Sequence, residues 1–258
     1  MTERSVAADV SARGSVRGAG QGVAVVLHPS LGRPASDFDA LAERLVEASF
    51  RVLGIDPQGV GGDAPPDTND LTLHDLADDV LGVLDEAGLA TVHLVGHALG
   101  NRVVRCLAAD HPDRVRSLTL LAAGGRVEGD DEARSALISC FDDQSPDDLR
   151  LDAVRTAFFA PGNDVPSSWR TGWYPAAAAL QSAAVRRTPT EDWWSAGQAP
   201  MLVVQGLQDR VAPPENGRTL RDQRPSTTLV EIDGAGHALL PERPDAVAEA
   251  VLGFLRTV

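Results

Sequence analysis

The chain has no lysine: all 23 of its basic residues are arginine, set against 37 carboxylates for a formal net charge of -14. That balance repels phosphate backbones and anionic membrane surfaces, so neither nucleic acid nor a lipid face is an expected partner. Cysteine is scarce. Cys106 and Cys140 stand alone in helix-like contexts, without the number or spacing of a disulfide framework or metal site, and both read as packing residues. No apolar run approaches the roughly 20 residues that span a bilayer. Residues 1–22 scatter Arg4, Arg13 and Arg17 among small side chains without the apolar centre of a secretory signal. The expectation is a cytoplasmic protein, monomeric or homodimeric. Aromatic residues are only 4% of the 258, and they are unevenly placed.

What is present is alternation. Short, nearly all-apolar runs at residues 23–27, 51–55, 92–95, 115–121, 201–205 and 228–232 read as strands buried on both faces. Between them, residues 38–49, 73–87, 101–110, 214–221 and 244–256 carry apolar side chains at helical spacing. Thr72 with Asp75 predicts a capping box at the start of the second helix, and Gly88 predicts its end. Strands joined by crossover helices make a mostly parallel sheet with helices on both faces, and 258 residues suit one such core.

The alternation stops after Leu121. From about residue 126 to 195 the sequence reads as helices and loops, and this stretch holds all four tryptophans (Trp169, Trp173, Trp193, Trp194), the single tyrosine (Tyr174) and Phe158-Phe159. An insertion between strands of an open α/β sheet lies over the strands' carboxyl ends, where ligands bind. The expected organisation is a core of residues 1–125 and 196–258 with a helical cap at 126–195. Phe158, Phe159, Trp169, Trp173 and Tyr174 are candidates for an aromatic ceiling over a small molecule. The competing account is that these rings only hold the insertion together.

The most consequential absence is one hydroxyl. Gly96-His97-Ala98-Leu99-Gly100 follows the apolar run Thr91-Val92-His93-Leu94-Val95 and precedes a helical stretch. Gly-x-Ser-x-Gly in that place marks the nucleophile of a serine hydrolase. Here the centre is alanine, and alanine forms no acyl-enzyme, so covalent catalysis at residue 98 is excluded by its chemistry.

Four motifs in chain order surround that gap: His28-Pro29-Ser30-Leu31-Gly32, Asp56-Pro57-Gln58-Gly59-Val60-Gly61, the turn at 96–100, and Gly206-Leu207-Gln208-Asp209 followed by Gly234-Ala235-Gly236-His237. On these motifs the chain resembles the α/β-hydrolase-fold superfamily over nearly its whole length after Gly22. The combination of His28-Pro29-Ser30-Leu31-Gly32-Arg33, His97-Ala98-Leu99-Gly100-Asn101-Arg102, Ala157-Phe158-Phe159-Ala160-Pro161-Gly162-Asn163 and Ala235-Gly236-His237-Ala238-Leu239-Leu240-Pro241 adds a likeness to a bacterial group with alanine at this turn. The resemblance implies His237 as general base, Asp209 as its orienting acid, and backbone N–H groups of Ser30 and Leu99 as an oxyanion hole. Pro29 removes only its own N–H, so the Ser30 donor is expected to persist. His28 and His97 read as framework, and His74, His93 and His111 as surface or packing residues. None forms a metal cluster with carboxylates at ligand spacing, and no cofactor is implied.

Alanine at residue 98 leaves several readings. His237 and Asp209 could act without a nucleophile on a small, largely apolar ester, lactone or related carbonyl. The same pair could serve lyase, isomerase or cyclase chemistry. A serine could have been replaced by alanine deliberately, or the protein could bind a ligand without turning it over. Retention of both Asp209 and His237 argues against the last of these.

Overall fold

Runs of five to seven residues form the parallel part of the sheet. In the computed structural model, which describes residues 8–11, 14–61 and 70–258, these are β3 (Ala24–His28), β4 (Arg51–Asp56), β5 (Val92–His97), β6 (Val115–Leu121), β7 (Met201–Gly206) and β8 (Thr228–Ile232). Part of the 1–22 stretch lies outside the described residues. Two strands the sequence did not disclose precede this set, β1 (Ala8–Ser11) and β2 (Gly14–Ala19). They pair antiparallel with each other, and β2 pairs antiparallel with β4. The eight-stranded order is β1-β2-β4-β3-β5-β6-β7-β8, with β4 through β8 parallel. β8 departs from the expectation of burial on both faces: at the sheet edge, only Ile232 of its five residues is buried.

Helices cover both faces. α1 (Asp39–Glu47) and α10 (Pro244–Leu255) pack with Val25, Leu27, Val95, Leu202 and Val204. On the other face, α2 (Leu73–Glu86), α3 (Leu99–Asp110) and Leu220 of α8 (Glu215–Gln223) pack with Val26, Leu94, Leu118 and Val203. Alternate residues of each strand thus feed opposite cores, as a pleat requires. The Thr72–Asp75 capping box forms at the start of α2, and Gly88 follows its end at φ 65°.

Between β6 and β7 stand α4 (Asp131–Ser139), α5 (Asp147–Phe158), α6 (Pro175–Arg187) and α7 (Thr190–Trp193), with no strand among the described residues. This insertion is divided. Phe158, Phe159, Trp169 and Trp173 gather with Ala153, Val154 and Ala238 in their own apolar cluster. Ala184 of α6 and Trp193 of α7 instead join the core beneath the sheet. Trp193 and Trp194 therefore do not belong to an aromatic ceiling. They stack under the buried Arg105 guanidinium, 4.5 and 5.2 Å from their ring centres.

The chain reverses its progress across the sheet at β3, which lies between β4 and β5. The carboxyl ends of β3 and β5 are in register, His28 opposite Gly96. Ligands of open α/β sheets bind at such a reversal.

Candidate active site

Ala98 occupies a backbone conformation that alanine rarely adopts, φ 50° and ψ -107°, between the end of β5 and the start of α3. Its neighbours explain how the strain is held. A methyl on Gly96 would stand 2.5 Å from the backbone nitrogen of Asn101, and one on Gly100 would stand 2.2 Å from the carbonyl oxygen of His28. Glycine at both positions lets α3 start hard against the loop that leaves β3. Asn101 locks the arrangement, its Nδ2 donating to the carbonyls of Leu121 and Ala122 at 3.2 and 3.1 Å. Arg105 in turn donates to the Asn101 Oδ1 at 2.6 Å and the Gly124 carbonyl at 2.8 Å. Ala98 itself is partly exposed while Leu99 and Gly100 are buried.

Ser30 sits in the adjoining loop, 1% exposed, its carbonyl accepting from the Arg33 N–H at 3.2 Å. Among the described residues neither the Ser30 N–H nor the Leu99 N–H has a protein acceptor. The Leu99 group is one of the unpaired donors at a helix N-terminus, where the helix dipole favours negative charge. Asp56 braces the loop from β4 by accepting the Ala35 N–H at 2.6 Å.

His237 and Asp209 meet. The imidazole Nδ1 lies 2.8 Å from Asp209 Oδ2, both side chains almost wholly buried. The other carboxylate oxygen accepts the N–H groups of Val211 and Ala212 at 3.0 and 2.7 Å, and Gln205 Nε2 donates to Oδ2 at 3.3 Å. A carboxylate so held keeps the imidazole proton on Nδ1 and presents Nε2 as the basic nitrogen. No described residue bonds that Nε2. The loop before His237 depends on close backbone approach, since a methyl on Gly206 would stand 2.4 Å from the Gly236 carbonyl oxygen.

His97 lies on the inner side of the same imidazole, ring centres 5.5 Å apart. Its Nε2 donates to the His237 carbonyl at 2.7 Å. Burial, with the His237 charge as a smaller cause, pushes its pKa down to about 3, so it stays neutral. Burial likewise holds His28 down to about 4. His93 is a core residue bonded to Ser117 Oγ, and His74 and His111 pair with surface carboxylates.

Of the candidate ceiling residues, Phe158 reaches the site, its ring centre 5.4 Å from that of His237. Trp169 and Trp173 pack on Phe158 at 5.3 and 5.2 Å, and Phe159 packs on Trp169 at 5.4 Å. Tyr174 is less buried and ties its N–H to the Gly32 carbonyl at 3.0 Å. Arg33 pins this group to the β3 loop: its buried guanidinium lies over Trp169 and Trp173 at 4.5 and 4.4 Å and ion-pairs with Asp37 at 2.6 Å. A cavity of about 230 Å³ opens on the insertion beside Trp173, lined by Phe141, Arg150 and Arg170 among others, and none of Ala98, Leu99, Ser30 or His237 lines it. Among the described residues no group of three His, Cys, Asp or Glu is placed to hold a metal ion, and no helix is long and apolar enough to cross a membrane.

Sequence reasoning missed Gln205, Arg105 and Glu242 as supports of the site. Nothing in a strand residue such as Gln205 signals its reach to Asp209, whereas Asn101, four residues before Arg105, fell within reach of the turn motif.

Residues 23–150 match the family model described as alpha/beta hydrolase fold, and residues 169–258 match one described as TAP-like protein. A protein of Variovorax paradoxus strain S110 carrying the provisional name carbamate hydrolase RutD is 29% identical, covering 94% of this chain and 95% of its own. Rhodomycin D methylesterase DauP of Streptomyces sp. strain C5 is 27% identical over 84% of this chain and 85% of its own. The crystal structure of the enol-lactonase from Burkholderia xenovorans LB400 superposes with a TM-score of 0.79 at 25% identity, covering 94% of this chain and 97% of that one. With the strand order, the tight turn and the acid–histidine pair already in place, the chain belongs to the α/β-hydrolase-fold superfamily and is a hydrolase-like enzyme.

Proposed function

We propose that the protein is a cofactor-free hydrolase of small, largely apolar esters, lactones or related carbonyl compounds, in which His237 and Asp209 activate water directly. The observation that carries this reading is the buried Nδ1 to Oδ2 contact of 2.8 Å between them, beside a turn that bears a methyl where a nucleophile would stand.

The steps balance without a covalent intermediate. Water loses a proton to His237 Nε2 as its oxygen bonds to the substrate carbonyl carbon, and the carbonyl electron pair moves onto oxygen. The resulting oxyanion is the charge that the Ser30 and Leu99 N–H groups would stabilise. Asp209 offsets the imidazolium charge, and His237 returns the proton to the departing oxygen as the carbon–oxygen bond breaks. The small side chain of Ala98 would leave room beside the imidazole for the attacking water. The cap reading for residues 126–195 fits this scheme through Phe158, which puts an apolar surface against the imidazole.

The relatives' names support the choice of carbonyl substrates: a carbamate, a methyl ester and an enol-lactone share an acyl carbon attacked by an oxygen nucleophile. The test is a screen of activated esters, methyl esters, enol-lactones and carbamates, followed by a single turnover in ¹⁸O-water on the best substrate. Label in the released acid, no acylated peptide by mass spectrometry, and loss of turnover in His237→Ala are expected. An acyl adduct on Ser30, or full activity in His237→Ala, would overturn the proposal.

A further inference from the structure

Two stretches singled out in the sequence, residues 157–163 and 235–241, carry Phe158 and His237 of the chemistry above, and they meet at one carboxylate that the chemistry does not use. Glu242 ends the short helix α9 (Leu239–Glu242) and is half-buried. Its Oε1 accepts the Ala160 N–H at 2.7 Å and the Asn163 Nδ2 at 2.6 Å, and its Oε2 accepts the Gly236 N–H at 2.7 Å. Asn163 Nδ2 also donates to the Gly234 carbonyl at 2.9 Å, and the Ala238 N–H donates to the Phe158 carbonyl at 2.8 Å. A methyl on Gly236 would stand 2.7 Å from the Phe158 carbonyl oxygen and 2.8 Å from the Ala160 nitrogen. Glycine there lets the end of α5 rest directly on the loop of His237.

The bonds fall on consecutive residues around the imidazole. Glu242 holds Gly236, His97 holds the His237 carbonyl, and Phe158 holds Ala238. Only the His97 contact comes from the sheet. The other two involve the end of α5 or the carboxylate that also grips the residues following it. We infer that Glu242 is a positioning residue that makes the placement of His237 depend on the seated end of α5, so that the imidazole is held against Asp209 only while this part of the insertion is docked. The inference rests on the proposed role of His237 as the base. Physically, a carboxylate is the one side chain that accepts from donors on both sides at once. In Glu242→Gln one end becomes an NH2 group, which faces either the Gly236 N–H or the Ala160 and Asn163 donors and cannot accept from them. The insertion and the histidine loop then lose their shared partner.

The test uses Glu242→Gln and, as a milder change that leaves the carboxylate in place, Asn163→Ala. Three measurements are made on each full-length variant: amide hydrogen exchange of residues 158–163 and 234–238, the low-field proton resonance of His237 Nδ1, and kcat and KM on the best carbonyl substrate. In Glu242→Gln, Ala160, Gly236 and Ala238 are expected to lose protection together while β5 and β7 keep theirs. The Nδ1 resonance is expected to broaden or vanish, and kcat to fall about 100-fold with KM little changed, as for a misplaced base. Asn163→Ala is expected to shift the same observables in the same direction by less. Unchanged exchange at 236 and 238 and an unchanged Nδ1 resonance in both variants, with only thermal stability lowered, would reduce Glu242 to a structural contact and overturn the inference. Absence of turnover in the parent would count against the hydrolase reading alone, because exchange and resonance report the coupling without substrate.

Discussion

His97 Nε2 lies 2.7 Å from the backbone oxygen of His237. A carbonyl only accepts, so the His97 proton sits on Nε2 and leaves Nδ1 bare, buried and without a partner among the described residues. Protonating that nitrogen would put a charge in a place that solvates none.

Acid sensitivity follows from this. The folded pKa of His97 is about 3 and that of His28 about 4, against 6.5 for an unfolded histidine. The unfolded chain therefore binds protons first, and the stability from keeping both rings neutral is complete above about pH 6.5 and is lost as pH falls toward 4. The slope is about 1.4 kcal/mol per histidine per pH unit. Urea unfolding between pH 7.5 and 5 measures it, and His97→Asn should show a shallower decline than the parent.

The acid–base pair has its own signature. His237→Ala is expected to lower kcat/KM by about 10²–10⁴-fold, the usual contribution of a general base. Asp209→Asn preserves an oxygen for the Val211 and Ala212 N–H groups but turns an amide toward the imidazole, so activity should fall while the melting temperature changes little. Circular dichroism beside steady-state kinetics separates the two effects.

Adding a hydroxyl tests the alignment of the turn. Ala98→Ser is expected to react with a fluorophosphonate probe at residue 98 and to gain turnover of activated esters, while the parent stays unlabelled there. If the serine variant folds and remains inert to the probe, the turn does not face the base.

The glycines and the strained alanine predict opposite stability changes. Ala98→Gly relieves a positive φ and should stabilise the protein by up to about 1 kcal/mol. Gly100→Ala forces a methyl to within 2.2 Å of the His28 carbonyl and should cost about 3 kcal/mol or more, or prevent folding. Chemical denaturation of the two variants in parallel gives the sign.

Much of this molecule was legible in its residues because the relevant signals are local. Apolar runs gave the six parallel strands, and the Thr72 cap and Gly88 stop gave α2 its ends. The four loop motifs placed Ser30, Ala98, Asp209 and His237 near one sheet edge. The strands β1 and β2 are hidden because small and charged residues such as Gly14, Ser15 and Arg17 carry little strand preference, and pairing of β1 with β2 and of β2 with β4 decides their conformation. Trp193 and Trp194 are indistinguishable from the other aromatics in the sequence because composition carries no direction. Arg105 and the bare backbone of Gly125, where a methyl would stand 2.5 Å from Trp193, draw them beneath the sheet. Glu242 was invisible for a different reason: its partner Ala160 lies 82 residues away in the chain.

The bend at residue 98 is imposed by its surroundings and not by its own side chain. Alanine and serine codons differ by a single nucleotide, so a lineage can cross between a hydroxyl and a methyl at this spot without rebuilding the scaffold. The mould and the chemistry cast in it are inherited separately.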